Sequence, residues 1–288
     1  MGFLYNILRF PYHLLRKTYR NFNLIIQRLF FKIDKNYLRK KFLELGFKKG
    51  MNVYVHSSLS KFGYIEDGAN SVLIVLKDII QDGTIMMPTF TYPKKEFTLN
   101  DPCWTGKIAE TFRQSAKRSI NPSHSVAVKG KLDNYLVKGH EKSKRPFDNN
   151  SPYSKFAKLD SYILMLGTEN NSMIHYVQDK VNFPNLFLPG IKELKFNNKI
   201  IKTKLHHPKG SITYICNGKP CTDVQFLVKM YKDLKFEERG IMKTVKIGNA
   251  ICHLIKTKEF VNEATKYLKD NIKRYKNEYS LILKNGSS

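Results

Sequence analysis

The sequence predicts an α/β protein with a layered core, on three observations. Apolar runs of strand length alternate with helical stretches from Asn36 onward. A content of 42% hydrophobic and 12% aromatic residues over 288 positions is enough to bury a substantial core. No obvious linker breaks the chain after residue 36, so one large domain over 36–288 is expected, preceded by a distinct extension over 1–35.

The extension is basic and periodic. Leu15, Tyr19, Phe22, Ile26, Leu29 and Ile33 step by fours and threes, which gives one continuous helical face. The arginines fall on the opposite face, and the only acid is Asp34. Such a helix either lies in an anionic membrane interface or packs on its own domain or a second subunit.

The elements of the domain follow in order. "YLRKKFLELGF" reads as a helix ended by Gly46, and "MNVYVHSS" as a buried strand. "GANSVLIVLKDII" is a helix, "GTIMMPTF" a second strand and "KIAETFRQSA" a short helix. In "RSINPSHSVAVKGK", Pro122 fixes a turn and Val126, Ala127 and Val128 begin a strand. The residues alone leave open whether His124 sits in a substrate loop or a polar turn. "SYILMLGT" is a third clear strand, residues 196–222 read as hairpins turning at "NNK" and "NGK", and 223–235 and 258–276 are helical.

Composition narrows the function. The net charge of +26, from 50 Lys and Arg against 24 Asp and Glu, favours anionic partners. The basic residues are dispersed and no recognition motif accompanies them, so nucleic acid is not the expected partner. No apolar run reaches the ~18 residues of a membrane span. The N-terminus lacks a cleavable signal, and Asn6 breaks the myristoylation pattern that Met1-Gly2 opens. Cys103, Cys216, Cys221 and Cys252 form no C-x-x-C pair and no zinc spacing, so they are expected reduced, in a cytoplasmic protein without a structural metal.

Polar groups collect where strands end. His56, Ser57 and Ser58 follow the first strand, Thr89 the second, and Ser172 and His175 the "ILMLG" strand. In open α/β sheets ligands bind beyond the carboxyl ends of strands. Each residue alone is as readily a helix cap or a structural hydrogen-bonder. Their coincidence is what points to a site. There is no Walker loop and no G-x-G-x-x-G, "HSSLS" lacks the glycines of a nucleophile elbow, and His206-His207 have no acid or cysteine beside them to complete a metal set.

The ordered stretches "VHSSLSKFG", "DGTIMMPTFTY", "RSINPSHSVAVKG", "GH" with "PFDNNSPYSKF", and "ILMLGTENNSMIH" resemble the aminoglycoside 3-N-acetyltransferase family. The resemblance runs from Tyr37 to Tyr267, and "VKIGNAICHLI" is similar to that family's closing strand and helix. It implies an antibiotic N-acetyltransferase-like fold, a mixed β-sheet core flanked by helices, and transfer of an acetyl group from acetyl-CoA to an amine. It also implies that Ser57, Ser58, Leu59 and Gly63, with Arg118, Ser119, Ser123, His124, Ser125 and Val126, line the acetyl-CoA groove. His124 would then shape the loop or touch the cofactor. Thr89 would sit near the thioester, His175 would be the base, and Ser172 would assist it. His56, Gln178 and Asp179 would meet the acceptor.

This chain departs from the family's Thr-x-x-His-x-x-Glu, having Ser172-x-x-His175-x-x-Gln178. The lost carboxylate and the positive charge favour an anionic acceptor, a nucleotide- or lipid-linked amino sugar of surface-polysaccharide biosynthesis. The extension would place such an enzyme on the inner membrane face, and a homo-oligomer is compatible. The alternatives are an aminoglycoside-modifying resistance enzyme and an inactive, basic membrane- or nucleic-acid-binding protein.

Overall fold

The computed structural model describes residues 32–92, 96–183, 186–206, 214–216 and 219–285. The helical reading of the extension lies outside these residues up to position 31. Its last apolar position, Ile33, belongs to the domain. Ile33 is 4% exposed, bridges to Ile65, and sits where a Cβ on Gly248 would come within 2.4 Å of its Cδ1. Lys32 is ion-paired with Glu66 at 2.7 Å. The domain therefore begins before residue 36, and Ile33 is not available to a membrane.

Helix α1 (Lys35–Leu45) starts at Asp34, whose carboxylate accepts the Tyr37 N–H at 2.7 Å. It ends at Gly46, which adopts the left-handed conformation that a side chain would disfavour. Strand β1 (Asn52–Ser57) leads through α2 (Ala69–Ile80) to β2 (Thr84–Pro88). Helix α3 (Lys107–Arg113) is followed by β3 (Lys117–Arg118) and β4 (Val126–Gly130). Two short helices, α4 (Asp133–Val137) and α5 (Pro152–Ala157), precede β5 (Tyr162–Leu166) and α6 (Met173–Lys180). Hairpins β6 (Lys192–Phe196)–β7 (Lys199–Thr203) and β8 (Tyr214–Cys216)–β9 (Lys219–Cys221) lead to α7 (Asp223–Asp233).

The last three elements correct the reading of "VKIGNAICHLI" as a closing strand and helix. That stretch turns back at Gly248-Asn249 and pairs β10 (Met242–Ile247) with β11 (Ala250–Lys256). A two-residue turn with a positive-φ glycine makes the hairpin. The helix comes only afterwards, as α8 (Thr257–Asn285).

The seven-stranded sheet has the order β10-β11-β5-β1-β2-β4-β3. The β5-β1-β2 centre is parallel, and antiparallel hairpins extend both edges. Alternation along the strands splits the core into two layers. Val53, Val55, Ile85, Met87, Leu164 and Leu166 face α1–α3, while Tyr54, Met86, Ile163 and Met165 face α5–α8. Full burial of each such side chain contributes about 1.5–3 kcal/mol. Two apolar faces on the central strands explain why "MNVYV" and "YILML" read as unbroken hydrophobic runs.

The cysteines are not uniformly reduced. Cys103 and Cys252 are free, whereas Cys221 is in a disulfide. The β8–β9 pairing brings the backbones of Cys216 and Cys221 onto adjacent strands, a closeness invisible to motif spacing. No helix among the described residues is long and apolar enough to cross a membrane.

Candidate active site

The chain crosses from β1 to β2 on one side of the sheet, and β5 joins β1 on the other. Such a reversal opens a crevice beyond the strand ends. A cavity of about 730 Å³ lies there. Ser57, Ser58, Leu59 and Gly63 line it after β1, Phe90 and Trp104–Lys107 after β2, and Asn170–Ser172 with His175 after β5. Asp223 and Leu227 of α7 complete the wall.

His175 occupies the first turn of α6 and is half-buried. Its Nδ1–H donates to Oε1 of Gln178 at 2.7 Å. That bond holds the ring and leaves Nε2 as the basic nitrogen. Gln178, buried one turn further on, bonds His175 and does not itself line the cavity. Ser172 stands at the start of α6 without capping it. Its hydroxyl shares a 2.7 Å hydrogen bond with Tyr54, so the residue read as an assistant to the base is anchored to the core.

Imidazoles gather around His175. His206 lies 4.3 Å from the His175 ring, His124 lies 5.0 Å from His206, and Phe147 contacts all three. His124 is buried, and its Nδ1 bonds the Ser123 hydroxyl at 2.7 Å. Asn121 accepts the N–H groups of both Ser123 and His124, which builds the polar turn that Pro122 announced. The "NPSH" stretch is thus a turn whose histidine points into an aromatic cluster. His56 is buried against Tyr54, with ring centroids 4.5 Å apart. Burial, aided by nearby His175, lowers its pKa to about 3, so it stays neutral.

Asp223 opens α7 behind the capping box of Thr222 and Gln225. Burial raises its carboxyl pKa, while the neighbouring His175 draws it down. Its Oδ1 is buried without a hydrogen-bond partner. The sequence reading missed this acid, along with Phe147 and Trp104, and weighed His206 only as a metal ligand. The capping box marked a helix start, but nothing local placed that start near "SMIH".

Several expected groove residues lie beneath the cavity wall rather than in it. Arg118 is 6% exposed and donates to the carbonyls of Thr89, Leu99 and Asp101 and to the Ser125 hydroxyl. Thr89 and Ser125 are fully buried, and the Ser125 hydroxyl donates to the Thr89 carbonyl at 2.6 Å. Ser119 is also buried, accepting the Val126 N–H at 2.9 Å and bonding His140 Nδ1 at 2.8 Å. Val126 is core. Asp179 faces away to Arg145, 2.8 Å distant. These side chains satisfy one another because the β2–β4 junction buries backbone carbonyls that need donors.

Arg118→Met tests that scaffold role. Three carbonyls and a hydroxyl would lose their donor, at a cost of about 2–4 kcal/mol of stability. Burial, with Arg113 close by, lowers the guanidinium pKa to about 10, so it is charged at neutral pH. A drop in the urea midpoint is the expected result. An unchanged midpoint with a raised KM for acetyl-CoA would make Arg118 a cofactor ligand instead.

Comparison with known proteins shows the family and the fold. The chain is 25% identical to an aminoglycoside N(3')-acetyltransferase-like protein, YokD, of Bacillus subtilis (strain 168), over 86% of this chain and 96% of that one. It is 26% identical to an aminoglycoside N(3)-acetyltransferase III of Salmonella, over 78% and 87%. The crystal structure of YokD superposes with a TM-score of 0.66, covering 83% of this chain and 94% of that one. A complex of AAC-IIIb with CoASH, 16% identical, shares the fold with a TM-score of 0.70, over 84% and 98%. The profile described as aminoglycoside 3-N-acetyltransferase matches residues 54–269, so the chain belongs to that family and is an N-acetyltransferase that takes its acetyl group from acetyl-CoA.

Proposed function

We propose that the acceptor is a cationic amino sugar of the aminoglycoside class, acetylated by direct transfer with His175 as base. Asp223 carries this reading, because a carboxylate beside the base in the cavity wall favours an ammonium-bearing acceptor. The net charge of +26 had favoured an anionic acceptor, but it is a property of the whole surface. Among the described residues Asp223 is the one carboxylate lining the cavity. Related structures are described as bound to a gentamicin and to sisomicin, which supports the same class.

The chemistry follows from the placement. An ammonium is not a nucleophile, so Nε2 of His175 removes a proton as the amine approaches the thioester. The amine nitrogen bonds to the acetyl carbon, the C–S bond breaks, the imidazolium returns its proton to the departing thiolate, and the nitrogen's second excess proton leaves to solvent. Ser57–Ser60 and Thr105–Lys107 line the same cavity, and their hydroxyls and N–H groups suit the amides and phosphates of the donor. Holding both reactants in one cavity supplies much of the acceleration.

Thiol release from acetyl-CoA with a panel of aminoglycosides and nucleotide-linked amino sugars tests the reading. Turnover is expected with aminoglycosides. Asp223→Asn should raise their KM roughly tenfold, the scale of one lost charge contact, and leave the KM of acetyl-CoA unchanged. Turnover confined to nucleotide-linked amino sugars would restore the polysaccharide assignment and remove this one.

A further inference from the structure

We infer that Trp104, with Tyr92 beside it, is a stacking platform for the adenine of coenzyme A, and that Lys107 meets the attached phosphates. The inference rests on the acetyl-CoA donor of the preceding reading but not on its acceptor. Trp104 is 53% exposed and Tyr92 72% exposed, yet both belong to a ladder of rings that starts inside. Phe90 is buried, Trp104 stands 5.7 Å from it, and Tyr92 stands 6.4 Å from Trp104. Trp104 also lines the catalytic cavity.

Exposed aromatics of this size are usually covered or mobile, and the backbone of Trp104 is pinned. Its N–H donates to the Phe90 carbonyl at 3.1 Å. The Thr105 hydroxyl donates to the Pro88 carbonyl at 2.6 Å, and the Cys103 N–H to Oε2 of Glu110 at 2.8 Å. A half-exposed ring on a fixed backbone in a cavity wall is partly preorganised for a planar ligand, because little backbone freedom is lost on binding.

Charge decides between the two substrates. Lys107 is three residues beyond Trp104 in the same wall, whereas Asp223 flanks His175. The cavity is therefore cationic toward the aromatic pair and anionic toward the base. Coenzyme A has the matching polarity, with adenine and phosphates at one end and an uncharged thioester at the other. A polycationic acceptor is repelled from Lys107 and drawn to Asp223. Base stacking on aromatic side chains is worth enough to change affinity several-fold to a hundredfold.

Trp104 is the single tryptophan of the chain, so its intrinsic fluorescence reports on this position alone. Titration of the full chain with CoA and with 3′,5′-ADP is expected to quench it, and phosphopantetheine is expected to leave it unchanged. Trp104→Ala should raise the KM of acetyl-CoA roughly tenfold at unchanged kcat, with Trp104→Phe recovering most of the loss. The KM of acetyl-pantetheine, which lacks the nucleotide, should be the same in all three proteins. Quenching by the acceptor alone, or no response to 3′,5′-ADP, would overturn the platform. So would a Trp104→Ala protein with an unchanged KM for acetyl-CoA. The fluorescence arm needs no acceptor, so it stands or falls separately from the aminoglycoside assignment.

Discussion

His175→Ala is expected to lower kcat by roughly 10²-fold or more, the scale for losing a positioned acid–base group. His175 lines the cavity, is held through Nδ1 by Gln178, and shares the cavity wall with Asp223. The loss should fall on kcat and leave the dissociation constant of CoA unchanged, since the donor loops are separate. Gln178→Ala should give a smaller loss, because the imidazole persists but its orientation is no longer fixed. A near-normal kcat for His175→Ala removes the assignment. If His124→Ala abolishes turnover while His175→Ala does not, the two histidines have been exchanged. The structure argues against that exchange, since His124 is buried and does not line the cavity.

A steep loss of stability in acid is the second large effect. Burial lowers the pKa of His56 to about 3 and of His140 to about 4, and holds His124 well below its usual value. Each stays neutral in the fold but takes up a proton near pH 6.5 once unfolded. The unfolded chain therefore binds more protons below pH 6.5, and stability falls as pH drops toward the folded values. Each histidine contributes a slope of up to about 1.4 kcal/mol per pH unit in that window. Three acting together would exhaust a typical stability of about 5–15 kcal/mol near pH 4. Glu110, lowered to about 2 chiefly by its bond to Arg113, adds to the loss only below the ordinary carboxylate range. Urea midpoints at pH 8, 6.5 and 5 check this. His140→Gln should flatten the dependence, because glutamine can bond Ser119 and Pro146 without titrating. Equal midpoints at pH 8 and pH 5 would contradict the neutral burial of these groups.

The cavity that forms the candidate site was legible where it depends on strand ends. His56, Ser57, Ser58, Leu59, Gly63, Ser172 and His175 were all read from the ends of two strands, and the cavity is lined by every one of them. Chain order was a poor guide to depth. "RSINPSHSV" looked like a groove, but the β2–β4 junction buries Arg118, Ser119 and Ser125 to satisfy backbone carbonyls. Burial at that junction is set by the neighbouring strand, which no local pattern specifies.

Local patterning was sufficient for the alternation of strands and helices, the capped ends of α1 and the doubly apolar central strands. These follow from periodicity and from residues that act within a few positions of themselves. Five motifs in order also carried the family. Which charges meet is a matter of packing. Asp223, His206 and His175 come from elements separated by up to 48 positions, and only the packing of α7 and the segment after β7 brings them together. Composition summed a charge of +26 over the chain, while the cavity wall holds one carboxylate near His175 and one lysine beside an aromatic pair. Electrostatic recognition depends on distance and local dielectric, and both exist only once the chain has folded.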